Sequence, residues 1–99
     1  MIVKVHQTDN GTVVAVCDSE LVGKKFSENE ADLDLTGDFF SGDEMDEDHA
    51  GDLLRNCYTF NIVGEKSIKL GLKEEVITQE DVKLISGIPH AQGVLVKEE

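Results

Sequence analysis

The sequence predicts an α+β protein: a single small domain over residues 1–99, with an N-terminal β-hairpin, a short mixed or antiparallel sheet and about two helices. Three observations carry this. Two β-rich runs near the start, residues 2–8 and 12–17, flank Asp9-Asn10-Gly11. The stretch from Asp43 to Cys57 repeats its apolar residues at helical spacing. And 99 residues with 39% hydrophobic content suffice for one core and little more. With no Trp, one Tyr and four Phe, that core is mostly Val, Ile and Leu.

The hairpin is the clearest local signal. Asn10-Gly11 supplies the two positive-φ positions of a type I′ turn, whose twist suits antiparallel strands. Val3 and Val5 then share one face, with Lys4 and His6 on the other. The second run, TVVAVC, is apolar on both faces, as an interior strand is. His6 is read as a half-exposed strand residue without a chemical role. Asp18 to Gly23 reads as one capped helical turn, and Ala31-Asp32-Leu33-Asp34-Leu35 as a strand with its leucines inward.

Ser41-Gly42-Asp43-Glu44 matches the S-x-x-E capping box and predicts a helix over residues 43–57. Its apolar stripe is Met45, His49, Leu53, Leu54 and Cys57, with His49 a packed or boundary residue. A calcium loop beginning at Asp46 fails, because Ala50 and Cys57 fall where oxygen ligands are needed. From Tyr58 to Leu72 the apolar spacing fits strand and helix alike, and Lys73-Glu74-Glu75 tips it towards helix. Thr78-x-x-Asp81 is a second capping box, opening only one turn before a strand over residues 82–85. SGIPHAQG, residues 86–93, reads as a polar connector, with Pro89 kept out of any paired strand. Residues 94–96 form a last short strand.

Charge separates the chain into regions. Residues 26–54 hold eleven acids and no Lys or Arg, while the segments on either side are nearly balanced, so this block accounts for almost all of the net charge of −12. Such a block argues against direct nucleic-acid binding, which needs clustered cations. It suits a basic protein or ribonucleoprotein surface, with Asp43, Glu44, Asp46, Glu47 and Asp48 as the partner-facing acids. The N-terminus lacks a basic-then-apolar leader, and no apolar run approaches the roughly 20 residues of a membrane span. A soluble cytoplasmic protein is expected. Cys17 and Cys57, forty positions apart, read as buried thiols rather than metal ligands.

The phrases TVVAVCD (residues 12–18), NIVGE (61–65) and GIPHAQ (87–92), in that order, resemble a family of small archaeal proteins catalogued as a domain of unknown function. The resemblance runs nearly end to end. It implies an archaeal cytosolic protein of α+β class and favours helix over residues 62–73. It implies no activity, cofactor or catalytic residue.

No nucleophile elbow, phosphate loop, zincin motif or dinucleotide fingerprint is present in the sequence. The expectation is therefore a non-catalytic binding or accessory module with no cofactor or metal, serving a ribonucleoprotein or translation-related partner. Asn61, Glu65, His90 and Gln92 would form its recognition patch. The rival reading is a small enzyme, or a metal- or small-ligand-binding protein, centred on His90.

Overall fold

In the computed structural model, which describes residues 1–95, the β-rich opening forms strands β1 (Ile2–Thr8) and β2 (Gly11–Cys17). They pair antiparallel, Ile2 opposite Cys17 and Thr8 opposite Gly11. The loop is Asp9-Asn10, one residue earlier than the sequence suggests, and neither residue has positive φ. Thr8 Oγ1 closes it, donating to the Gly11 carbonyl (2.7 Å) and accepting from Asn10 N (3.3 Å). A turn at Asn10-Gly11 would have set Val3 against Asp18. The observed register sets it against Val16 and leaves Asp18 for another task.

β3 (Lys25–Glu28) and β4 (Ala31–Asp34) form a separate hairpin, with Leu33 half-buried, Leu35 buried and Asp32 and Asp34 exposed, as the alternation predicts. The helix expected over 43–57 starts later. Asp43–Glu44 is a short edge strand, β5, lying antiparallel on β1. A Cβ on Gly42 would run into the Val3 backbone, so the chain lies flush against β1 there, and Met45 N donates to the Met1 carbonyl (2.9 Å). This pairing outweighs the local capping signal. Helix α1 spans Glu47–Arg55, capped by Asp46, which accepts from His49 N (2.8 Å). Leu54 and Cys57 are buried as expected, but the His49 side chain is 77% exposed and lies on Asp46 (2.9 Å).

The ambiguous stretch after Tyr58 contains both periods because it contains both elements. β6 (Thr59–Val63) is a central strand, Gly64 ends it, and α2 spans Glu65–Lys73. A single turn at Gln79–Asp81 follows, its Asp81 carboxylate accepting from Thr78 N (2.8 Å) as the second capping box predicts. The connector reading of SGIPHAQG is overturned. Only Ser86-Gly87 turns, with φ of 51° and 78°, the type I′ signature expected at the first hairpin. β7 (Lys83–Ile85) precedes it, and β8 (Ile88–Val94) follows as an interior strand containing Pro89. The proline is tolerated because its carbonyl and its missing amide point to the β6 side, past the last β6–β8 pair, Val63–His90. There the carbonyl accepts from Gly64 N (2.8 Å). Val96 of the expected last strand lies outside the described residues.

The main sheet runs β5-β1-β2-β6-β8-β7, with β2 and β6 parallel and the other pairs antiparallel. On one face Val3, Val14, Val16, Phe60 and Ile62 form the larger core with Leu54 of α1 and Leu70 of α2. Among the described residues the other face carries no α-helix. Ala15, Cys17 and Val63 are covered there by Leu35 and Phe40. No helix among the described residues is long and apolar enough to cross a membrane.

Candidate functional site

The helix-free face is only partly covered, and the open part holds three of the four residues expected to form the recognition patch. Period-two alternation sends Thr59, Asn61 and Val63 of β6 to this face. The register sets Val94, Gln92 and His90 of β8 beside them. Asn61 and Gln92 form a direct cross-strand pair, the first half-buried, the second exposed. A shallow groove runs over Thr59, Asn61, Gln92 and Val94, and a smaller depression adjoins it at Gln92, lined by His90, Lys83 and Asp81. On the β1 side Val13 lies next to Thr59 and opposite His6. His6 stacks on the exposed Phe39 ring with centroids 4.7 Å apart, its Nε2 3.0 Å from the Phe39 carbonyl oxygen. Lys83, Val94 and Phe39 were not singled out from sequence. Their signal is the shared face, visible only once the register is known.

A carboxylate at the end of β2 ties α2 to the sheet. Because β2 and β6 run parallel, Cys17 and Val63 are neighbours, and the next residues, Asp18 and Gly64, also meet. Asp18 N donates to the Val63 carbonyl (3.0 Å). The N-cap of α2 is Gly64, which has no side chain to satisfy the first amides of the helix. Asp18 supplies the missing acceptor. It is only 3% exposed, and it accepts from Lys66 N (3.1 Å), Ser67 N (2.8 Å) and Ser67 Oγ (2.7 Å). The sequence reading assigned Asp18 to its own turn, Ser19–Leu21, which it does not cap through its side chain.

Glu65 stands apart from the patch. It is the first residue of α2, exposed, and lines a cleft with Asp18, Glu20 and Pro89. The expected acidic surface is drawn partly into internal bonds. Glu44 accepts from Ser19 Oγ (2.6 Å) and pairs with the Met1 amino group (3.1 Å), contacts that hold its carboxyl below the usual range. The amide and ring of His49 hold Asp46 below it likewise. Glu47 lies 3.9 Å from Lys73 Nζ, while Asp43 and Asp48 are exposed.

The candidate chemical groups are not brought together. Cys17 and His90 share a face but are separated by β6, about 10 Å at the usual strand spacing. Burial, and then the neighbouring Asp18 and Glu20 charges, push the Cys17 thiol up to about 12, so it is no nucleophile at neutral pH. Cys57 is buried in the other cluster, its Sγ 3.2 Å from the Leu54 carbonyl. No group of three His, Cys, Asp or Glu among the described residues is placed to hold a metal. Partial burial, and next the Lys83 ammonium, push His90 below its ordinary value of 6.5. The unfolded chain therefore takes up a proton first as pH falls, so acidification through 6.5 destabilises the fold. Replacing His90 by Gln should reduce the stability lost between pH 7.5 and 5.5, as thermal melts would show.

A family model described as a protein of unknown function (DUF424) matches residues 5–96. The chain belongs to the DUF424 family. The resemblance to a family of unknown function is thereby shown. The crystal structure of an uncharacterized conserved protein from Methanopyrus kandleri is similar to this DUF424 chain, with a TM-score of 0.82 and 24% identity over 99% of this chain and 94% of that one. That similarity shows a common fold. No curated protein matches this family member.

Proposed function

We propose that this DUF424 chain is a non-catalytic binding module of the cytosol whose recognition surface is the open, helix-free part of the sheet. The observation that supports it is the register placing Asn61, His90 and Gln92 side by side on one rigid face. Carboxamides and an imidazole held on paired strands lose little freedom when they bind, which favours recognition. The acidic segment supplies the second part. Asp43, Glu44, Asp46, Glu47 and Asp48 lie on edge strand β5 and at the start of α1, where their field draws a basic protein or ribonucleoprotein surface towards the module. A translation-related complex offers such surfaces. Glu65 is left out of the patch, because α2 carries it to a different cleft.

The test is partner capture from lysate with Asn61→Ala/Gln92→Ala and, separately, with Asp43→Asn/Asp48→Asn. The first pair should abolish capture at unchanged thermal stability. The second should slow association, with less salt sensitivity than the parent. Capture indifferent to the first pair would remove the face from consideration. A reading centred on His90 as the hub of a ligand or metal site draws on its depression with Lys83 and Asp81, and zinc or small-anion binding lost in His90→Ala would favour it.

A further inference from the structure

The main-sheet strands of the helix-free face carry a charge unlike that of the rest of the molecule, whereas the β3–β4 hairpin packed over the Cys17–Ile88 end of that face brings the exposed acids Asp32 and Asp34. Strands β1, β2, β6, β7 and β8 send Lys4, His6, Lys83 and His90 to this face and not one of the chain's 21 acids. The short edge strand β5 adds Glu44, which Ser19 and the Met1 amino group already engage. Asp81, beside Lys83 in the depression, has its carboxylate on the Thr78 amide.

The size of the open area limits the occupant. From Val13 on β2 to Lys83 on β7 is three strand spacings, roughly 14 Å, and the three side-chain rows from Val94 to His90 span roughly 13 Å. That is roughly a quarter of the ~800 Å² per partner of a standard interface, too small to seat a second copy or another folded domain. It is large enough for one extended segment.

We propose that this face seats an extended acidic segment of the binding partner, an inference that rests on reading the face as the recognition surface. Carboxylates of the segment meet the Lys83 ammonium, its peptide groups meet the Asn61 and Gln92 carboxamides, and its apolar side chains lie on Val13 and Val94. Net repulsion from the remaining acids is screened beyond about 8 Å at physiological ionic strength, so the preference is set at contact. The partner then carries charges of both signs, basic towards the β5–α1 acids and acidic in the segment on the sheet, and the two fix its orientation.

Three fluorescein-labelled ten-residue peptides test this, alternating valine with glutamate, glutamine or lysine. The valine–glutamate peptide should bind the full chain at least tenfold more tightly than the glutamine peptide. Lys83→Glu should remove that preference, while Lys69→Glu on the exposed side of α2 should leave it. Equal binding of the three, a preference for lysine, or a preference that survives Lys83→Glu overturns the acidic assignment. If these results coincide with capture lost in Asn61→Ala/Gln92→Ala, the face stands and only its ligand class fails. Capture unaffected by that pair removes the face and this proposal together.

Discussion

Asp18→Ala should lower stability by about 3 kcal/mol and the thermal midpoint by roughly 12–24 °C. The substitution strips three hydrogen bonds at once, and two of the donors it orphans are buried. Ser67 is fully buried, and its amide and hydroxyl would both lose their acceptor. An unsatisfied buried donor costs about 1–3 kcal/mol, and bonds to a charged acceptor stand at the upper end. Asp18→Asn should lie between the parent and the alanine variant, since one acceptor oxygen survives but the negative charge at the α2 N-terminus does not. Chemical denaturation reads both. An alanine variant as stable as the parent would show that the carboxylate does not hold α2 to the sheet.

Gly64→Ala is the second large effect, and it acts on the same joint from the other side. Gly64 has φ +106°, a region that L side chains rarely adopt, and forcing alanine there costs about 1–3 kcal/mol. The added methyl would stand 2.6 Å from Asp18 Oδ2 and 2.7 Å from its Cβ, so the carboxylate would be pushed off the helix amides as well. The total loss should reach at least that of Asp18→Ala. Combining the two substitutions should cost less than their sum, because the first removes the carboxylate the second would displace, although the Cβ contact remains. Strictly additive losses in a double-mutant cycle would contradict the contact.

Most of the framework was legible because it is written locally. β-rich composition named β1 and β2, alternation named β4, and Thr78-x-x-Asp81 fixed its turn. The failures share a cause: a longer-range partner overrode a local signal. Ser41-x-x-Glu44 is a good capping box, yet β1 offers Asp43 and Glu44 a strand partner and the box is abandoned. Pro89 argues against an interior strand, yet its missing amide falls where β6 has already ended. Asn10-Gly11 is a strong turn signal, yet it yields to a register that frees Asp18. The grouping of the candidate residues was legible in the same degree. Asn61, His90 and Gln92 have suitable chemistry and proved to be neighbours, whereas Glu65, four residues from Asn61, is carried off by the change from strand to helix at Gly64. Asp18 takes its role from the pairing of β2 with the distant β6, which no local window contains; Lys83 meets His90 across a local hairpin, but its place near Asn61 depends on the pairing of β8 with β6.

A partner seated on the open face over β6 and β8 should mark that face in solution. The most direct measurement is a titration of the isotopically labelled chain with the captured partner, following the side-chain NH2 resonances of Asn61 and Gln92 by NMR. Those two signals, with the backbone amides of residues 59–61 and 90–94, should shift or broaden the most. Largest shifts on α1 and α2, with the two carboxamides unmoved at saturation, would contradict it.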